Sequence, residues 1–301
     1  NSVKYEFYGK TAHAAGSPEQ GRSALDAIEL MNIGVNYLRE HVVQEARIHY
    51  IVEEGGGQPN VVPDYARSWY YIRAPERSQV QQIYERINKI AEGAAMMTET
   101  ELKIDLLSAV YNKIPNKTLS ETVTANMREI GHPGWTKEEL EFASEIAETI
   151  NTEDKMNSLR KSKVPDPEKY RDLNLVSEVL DAWDDGQVSK GSTDVSDVSW
   201  ICPTMEFRTS CNILGSPGHD WRFTAVSGMS IGHKSLIYAA KTMAASALDL
   251  FTDPELLEKA KKEHKERLAG REYIAHMPDD TMPPLEIAET AWKKLKGKTS
   301  P

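Results

Sequence analysis

The sequence predicts a mixed α/β chain, with an α+β domain over roughly the first 112 residues and a longer α/β part behind it. Three observations support this fold class. Four short segments alternate apolar with polar residues, as half-buried strands do. Two segments between them repeat apolar residues at helical spacing. After Asn112 the alternation gives way to polar and alanine-rich helical patterns.

The elements of the first part follow from these patterns in order. They are a strand over 3–8, a helix within 19–41, strands over 47–53 and 61–73, a helix over 80–94 and a strand over 101–107. In the third strand, alternation places Ala66, Ser68, Tyr70 and Ile72 on one face. The order β-α-β-β-α-β predicts a ferredoxin-like domain, an arrangement that hosts many unrelated activities.

The second part is expected to run from 113 to 301 and to be less regular. It comprises a helix over 119–130, a polar insert at about 135–190, an alternating run from Val195 to Thr204, an alanine-rich helix within 227–250 and a charged helical tail from about 254. We therefore expect two domains, 1–112 and 113–301.

Composition excludes some classes of partner. The net charge of -10 argues against a nucleic-acid or anionic-membrane surface, and no apolar run approaches the length of a membrane span. The two cysteines, Cys202 and Cys211, are too few for a disulfide framework and fit a reducing, cytoplasmic compartment. We expect both to be buried.

The segment from Gly9 to Gly21 carries the most informative histidine. His13 is flanked by alanines on a turn bounded by glycine and proline, between a strand and a helix. Short neighbours let a side chain in such a place approach a substrate closely. This makes His13 a candidate catalytic residue.

A second candidate site follows the glycine run 55–57. Asn60 offers both a donor and an acceptor, and Arg73 offers a planar fork suited to a carboxylate. On the residues alone, a surface turn and an ordinary strand arginine are the better explanation.

Two later loops are rich in small residues. The loop Lys190-Gly-Ser-Thr-Asp194 carries Ser192 and Thr193, and its Asp194 fits either a helix cap or a residue that orients a ligand. His219 lies in a loop of glycine and proline, which suits a metal ligand held at a strand end. His233 is the alternative ligand.

Together these segments resemble the M20 family of metal-dependent amidohydrolases and peptidases. Asn60-Val-Val-Pro63, with Arg73 thirteen positions after the asparagine, matches the family's lid (dimerisation) domain. The resemblance implies that Asn60 and Arg73 bind a substrate carboxylate. It also implies that His13 donates a hydrogen bond to the oxyanion in the partner protomer of a homodimer.

The same resemblance implies roles in the second part. His219, four positions before Phe223, corresponds to the last metal ligand, and Ser192 and Thr193 contact substrate. Two divalent ions, zinc or manganese, are implied per complete site, in a zinc-peptidase-like α/β catalytic domain. The family's other ligands and its glutamate base precede the lid, and neither Glu53-Glu54 nor Glu138-Glu139 stands in that context. We therefore expect the chain to be an incomplete fragment.

Within the family, three details are similar to the aminobenzoyl-glutamate hydrolases: residues 10–15, residues 199–203 and the polar insert. The expected function is metal-dependent hydrolysis of an amide in an N-acyl amino acid or aminobenzoyl-glutamate-like substrate with a free carboxylate. The alternatives are a non-catalytic dimerising fragment and a small-molecule-binding regulatory module.

Overall fold

A computed structural model describes residues 1–182, 185–189, 191–277, 281, 282 and 285. The chain divides into two compact units. The first contains Asn1–Asn112 and the described residues from Ile274 onward, and the second contains Lys113–Tyr273.

Between Asn1 and Asn112, the first unit contains one antiparallel sheet and two α-helices. Its elements are β1 (Ser2–Tyr8), α1 (Ala24–Leu38), β2 (Arg47–Glu54), β3 (Tyr65–Arg73), α2 (Arg77–Thr98) and β4 (Glu101–Ser108). The strands lie in the order β2-β3-β1-β4, and each neighbouring pair is antiparallel. The predicted β-α-β-β-α-β, ferredoxin-like order is confirmed.

One face of this sheet is covered by α1 and α2. Ala66, Ser68, Tyr70 and Ile72 are all fully buried on that face, as the alternation in β3 predicts. The two helices pack closely, because a Cβ at Gly34 of α1 would lie 2.7 Å from the Ile90 side chain of α2. Burial of this apolar layer is the main stabilising contribution to the unit.

Two boundaries differ from the sequence prediction for local reasons. α1 begins at Ala24 because the hydroxyl of Ser23 accepts a hydrogen bond from the Asp26 amide and caps the helix. β3 begins at Tyr65, four residues later than expected. Pro63 has no amide hydrogen to donate to a sheet, and Val61 pairs outside the sheet instead.

The described residues of the second unit form helices joined by loops and contain no strand. Its helices are α3 (Lys117–Ile130), α4 (Lys137–Ala147), α5 (Thr152–Lys161), α6 (Val195–Ile201), α7 (Trp221–Ser227), α8 (Ser230–Thr252) and α9 (Pro254–Leu268). One apolar cluster combines residues of α4, α7 and α8 with Leu175 and Ile213. A second cluster joins Met156 and Leu159 of α5 to Tyr170.

The alternating run Val195 to Thr204 begins as the helix α6, in which the buried residues Ser196, Ser199 and Trp200 follow helical spacing. The expectation that both cysteines are buried is wrong. Cys202 is exposed, since it follows the last residue of that helix, while Cys211 is half-buried. No helix in the described part of the chain is both long enough and apolar enough to cross a membrane.

Candidate functional site

The pairing between β1 and β3 continues past the end of the sheet. The Gly9 amide donates to the Asp64 carbonyl at 2.7 Å, and the Val62 amide donates to the Ala12 carbonyl at 3.0 Å. Beyond them His13 forms an isolated antiparallel bridge with Val61. We call this extension, residues 9–14 facing 60–64, the His13 ribbon.

A glycine is required where the ribbon leaves the sheet. A Cβ at Gly9 would lie 2.0 Å from the Arg22 carbonyl oxygen, a distance that no side chain tolerates. The neighbouring Lys10 exchanges two backbone hydrogen bonds with Arg22, each 2.8 Å long. The chain before α1 is therefore held against the base of the ribbon.

The imidazole of His13 is oriented by its own turn. Its Nδ1 accepts hydrogen bonds from the amides of Ala15 at 3.2 Å and Gly16 at 3.0 Å. A neutral imidazole that accepts at Nδ1 carries its hydrogen on Nε2. Because the residue is exposed, the ring presents Nε2–H outward as a hydrogen-bond donor.

Asn60 lies beside His13, whereas Arg73 does not. The Asn60 carbonyl accepts a hydrogen bond from the Ala14 amide at 3.0 Å, so the two candidate residues share the tip of the ribbon. Arg73 is the last residue of β3, where its guanidinium lies over the Tyr71 ring at 5.7 Å. The eight steps from Tyr65 to Arg73 span about 26 Å of strand. One carboxylate therefore cannot contact both Asn60 and Arg73 of the same chain.

Ser192 and Thr193 lie in the turn that precedes α6. Ser192 is exposed, and the Thr193 hydroxyl accepts a hydrogen bond from the Val195 amide at 3.3 Å. The Asp194 side chain makes no cap hydrogen bond, although the residue occupies the cap position. Lys190, which opens the predicted loop, lies outside the described residues.

His219 stands in a turn directly before α7, not at the end of a strand. Its backbone is left-handed, with φ of 58°, and its side chain is exposed. The strand-end expectation is wrong because the Asp220 side chain caps α7 here by accepting from the Arg222 amide at 3.0 Å. His233 is exposed in the first turns of α8.

The described residues do not assemble a metal site around either histidine. Nowhere in that part of the chain do three or more His, Cys, Asp or Glu side chains group closely enough to hold an ion. A catalytic zinc needs about three protein ligands, and His219 supplies one. The residues seen in this chain therefore do not fit the implied pair of ions.

A charged group on the open face of the sheet was not predicted from the sequence. Glu6 is buried and accepts hydrogen bonds from Tyr65 at 2.8 Å, Tyr8 at 3.0 Å and Lys103 at 3.1 Å. Burial opposes ionisation of Glu6, but these bonds outweigh it and hold the carboxyl pKa below its ordinary value. Burial and the bond to Glu6 raise the pKa of Tyr65 to about 12. Alternation in β1 is the signal for the shared face, since it aligns Glu6 with Tyr8.

Comparison with known proteins gives a family for the first unit. The profile of the peptidase dimerisation domain of the M20 family matches residues 1–97. The chain is 40% identical over 289 residues to a p-aminobenzoyl-glutamate hydrolase subunit of Escherichia coli K12, covering 93% of this chain and 60% of that protein. It is 29% identical to the Xaa-Arg dipeptidase of Mus musculus, covering 91% of this chain and 53% of that protein.

Among solved structures, an aminobenzoyl-glutamate utilization protein from Klebsiella pneumoniae is similar at 26% identity and a TM-score of 0.40. The match covers 43% of this chain and 33% of that one. At this TM-score, the structural similarity is not used to assign a fold or a function. The chain spans between about half and three fifths of the length of the two curated relatives described. Residues 1–97 therefore match the M20 peptidase dimerisation domain, as the resemblance predicted, and the chain is similar over most of its length to a p-aminobenzoyl-glutamate hydrolase subunit and to a dipeptidase.

Proposed function

We propose that this chain serves in the hydrolysis of an amide bond in an N-acyl amino acid or aminobenzoyl-glutamate-like substrate with a free carboxylate. The names of the relatives support the reaction class, because an aminobenzoyl-glutamate hydrolase and a dipeptidase both cleave an amide. The carboxylate requirement comes from Arg73, whose planar fork suits that group.

The orientation of His13 is the main support for this proposal. Two backbone amides bind Nδ1, so the ring offers Nε2–H at the exposed tip of the ribbon. A donor fixed before the substrate arrives stabilises the oxyanion of the tetrahedral intermediate without reorganising. One such donor contributes about 3–4 kcal/mol to transition-state binding.

The separation of Asn60 from Arg73 favours a site built by two chains. His13 and Asn60 share the ribbon tip, so both reach the same substrate from one chain. Arg73 lies about 26 Å along β3 from Tyr65, at the end of the strand far from the ribbon, and binds the carboxylate from the other chain. A two-fold homodimer supplies two such sites.

The first unit has a surface suited to a second copy. β2 is an edge strand and exposes Ile51 and Val52. The end of α1 lies near β2, because Arg39, directly after the helix, donates to the Ile48 carbonyl at 2.7 Å. The helix exposes Leu30, Ile33 and Tyr37 on one stripe. The opposite edge, β4, instead carries alternating charges that discourage strand pairing. We infer that copies meet through α1 and β2.

The implied divalent ions, zinc or manganese, supply the activation of water in metallohydrolases. The described residues provide His219 without companion ligands, so no step of the reaction is assigned to the ions. Ser192 and Thr193 are proposed to contact substrate from the turn before α6. Cytoplasmic location stays a prediction from the cysteine content.

The direct test uses the intact enzyme that contains this chain. It measures p-aminobenzoate release from p-aminobenzoyl-glutamate with zinc or manganese present, beside a panel of N-acyl amino acids. Cleavage that requires the free carboxylate is the expected result. Equal cleavage of substrates whose carboxylates are amidated would contradict the proposal.

The lack of a ligand cluster among the described residues favours a second candidate, a dimerising piece without activity of its own. Metal content separates the two candidates. An intact enzyme that contains this chain should hold two divalent ions, whereas a non-catalytic piece retains substoichiometric metal after dialysis.

A further inference from the structure

Residues 15–22 lead from the tip of the His13 ribbon back to its base, and we call them the return loop. The loop supplies both amides that bind the His13 imidazole, those of Ala15 and Gly16. The Ser17 amide also donates to the His13 carbonyl at 3.0 Å. The return loop therefore holds both the ring and the backbone of His13, so its position decides where the imidazole points.

The far end of the return loop rests on both strands of the ribbon. Arg22 exchanges its two backbone hydrogen bonds with Lys10, and a Cβ at Gly21 would lie 2.9 Å from the Val62 side chain. The middle of the loop is a short 3-10 helix, Pro18–Gln20, that contains no buried residue. Packing therefore does little to fix the middle of the loop, and its position depends on polar contacts.

The Arg22 side chain supplies those contacts. Its Nη1 donates to the Gly21 carbonyl at 2.7 Å and to the Glu19 carbonyl at 3.2 Å. Its Nε donates to the Glu99 carboxylate at 2.8 Å. Glu99 directly follows α2, one of the two helices that cover the sheet. One guanidinium thus closes the return loop on itself and anchors it to a rigid element of the first unit.

The residue type at the anchor is unusual. Glu99 has a φ of 54°, in the left-handed region that disfavours residues with a side chain. A glycine or asparagine is the common choice where a helix ends in this conformation. Helix termination therefore does not account for a glutamate here, whereas the ion pair with Arg22 does.

Stability of the fold is a poor explanation of this ion pair. The Arg22 and Glu99 side chains are 37% and 70% exposed, and ion pairs in such places add little to the free energy of folding. The pair instead restricts a loop that has few other contacts. A catalytic group must be held closely in place to act efficiently, and this loop carries the amides that orient His13.

We infer that Arg22 is a positioning residue: anchored on Glu99, it holds the return loop so that the Ala15 and Gly16 amides keep the His13 ring in place. Arg22 acts through the loop and not on the substrate. The consequence for catalysis rests on the proposed role of His13 as oxyanion donor.

The kinetic experiment uses the intact enzyme that contains this chain. Arg22→Ala should lower kcat about tenfold and leave KM within about twofold, because a misplaced catalytic group slows the chemical step. Arg86→Ala is the matched control, since Arg86 is an exposed arginine of the same unit that donates to the His41 carbonyl at 2.7 Å. It should retain wild-type kcat.

A double variant distinguishes positioning from a separate effect. If Arg22 acts through His13, the variant with both His13→Ala and Arg22→Ala should have the kcat of His13→Ala alone. A further loss of kcat in the double variant would overturn the inference, because Arg22 would then act independently of the histidine.

Hydrogen exchange provides a readout that does not depend on activity. In the chain itself, the Ala15 and Gly16 amides should exchange about tenfold faster in Arg22→Ala, while the amides of α1 keep their wild-type rates. Glu99→Ala removes the other half of the pair and should accelerate the same two amides. Wild-type exchange in both variants would overturn the inference. Faster exchange combined with wild-type kcat in His13→Ala would count against the proposed function alone.

Discussion

Tyr65 donates its phenolic hydrogen to Glu6 at 2.8 Å across the open face of the sheet, joining β3 to β1. Together with Tyr8 and Lys103, it holds an ionised carboxylate at a place where water has little access. The arrangement ties stability of the first unit to pH.

Glu6→Gln should lower the free energy of unfolding by about 1–2 kcal/mol at pH 7, because hydrogen bonds to a charged group are lost. The Glu6 pKa is lowered in the folded state from an ordinary 4.5. Its stabilisation is therefore complete above pH 4.5 and lost as pH falls through the folded pKa. Urea unfolding of both proteins from pH 7 to 3 should show the difference shrinking. Glu92→Gln, at an exposed site on α2, serves as the control. A wild-type advantage over Glu6→Gln that grows toward pH 3 would contradict the predicted direction of the pH dependence.

In the intact enzyme that contains this chain, His13→Ala should lower kcat by about two to three orders of magnitude, the usual effect of removing one oxyanion donor. KM should change little, since the bond forms with the developing oxyanion. Initial-rate kinetics of amide cleavage check this. His41→Ala, an exposed histidine of the same unit, should retain wild-type kcat. A kcat of the His13→Ala variant equal to that of the wild type would show that His13 is not the oxyanion donor.

Ile33→Lys combined with Tyr37→Lys should weaken self-association at least tenfold, because charges enter the apolar stripe of α1. Tyr37 is 70% exposed in a single chain, so the monomer fold should be unaffected. Sedimentation velocity over a concentration series measures the shift. Met96→Lys makes the same change on α2 at a site that is 80% exposed. If it disrupts association equally, the interface lies elsewhere.

A mixture of His13→Ala and Arg73→Ala chains should regain activity that neither has alone. In a mixed dimer, one site combines an intact His13 from one chain with an intact Arg73 from the other. Random reassortment makes half the dimers mixed, with one of two sites intact, so about a quarter of wild-type activity should return. A mixture that stays inactive, with mixed dimers verified by mass spectrometry, would place both residues in one chain's site.

Zinc binding to the chain alone should be weak, because His219 lacks companion ligands among the described residues. Equilibrium dialysis at micromolar free zinc should leave less than one ion per chain, and His219→Ala should lower even that. Two tightly held ions per chain would show that ligands come from residues outside the described ranges.

The first unit was predictable because its patterns have one interpretation. In β3, apolar alternation left a single choice of buried face, and Ala66, Ser68, Tyr70 and Ile72 are on it. The segment before it was harder. Val61 looked like part of the strand, but whether a residue pairs inside a sheet or beyond it depends on distant backbone, here residues 12–14.

The second unit shows where local pattern is insufficient. Val195 to Thr204 alternates, yet α6 forms there because tertiary packing selects the helical face. In α8 the sequence identified the helix but not which side would be buried, since small residues occur on both. For the candidate site, the turn around His13 indicated that residue, and the resemblance to the M20 lid indicated Asn60 and Arg73. Neither could reveal that Arg73 stands at the opposite end of β3, because that follows from the fold.

The position of His13 depends on the number of residues in the ribbon as well as on their identity. Side chains alternate along a paired strand, so deleting one residue between Asn60 and Tyr65 would slide the partner segment by one step. His13 would then lose Val61 as its partner, and its ring would turn toward the opposite side of the ribbon. Substitutions between these two residues should therefore be tolerated far better than single insertions or deletions. The glycine run at 55–57 lies outside the paired segment, and changes of length there leave the histidine in place.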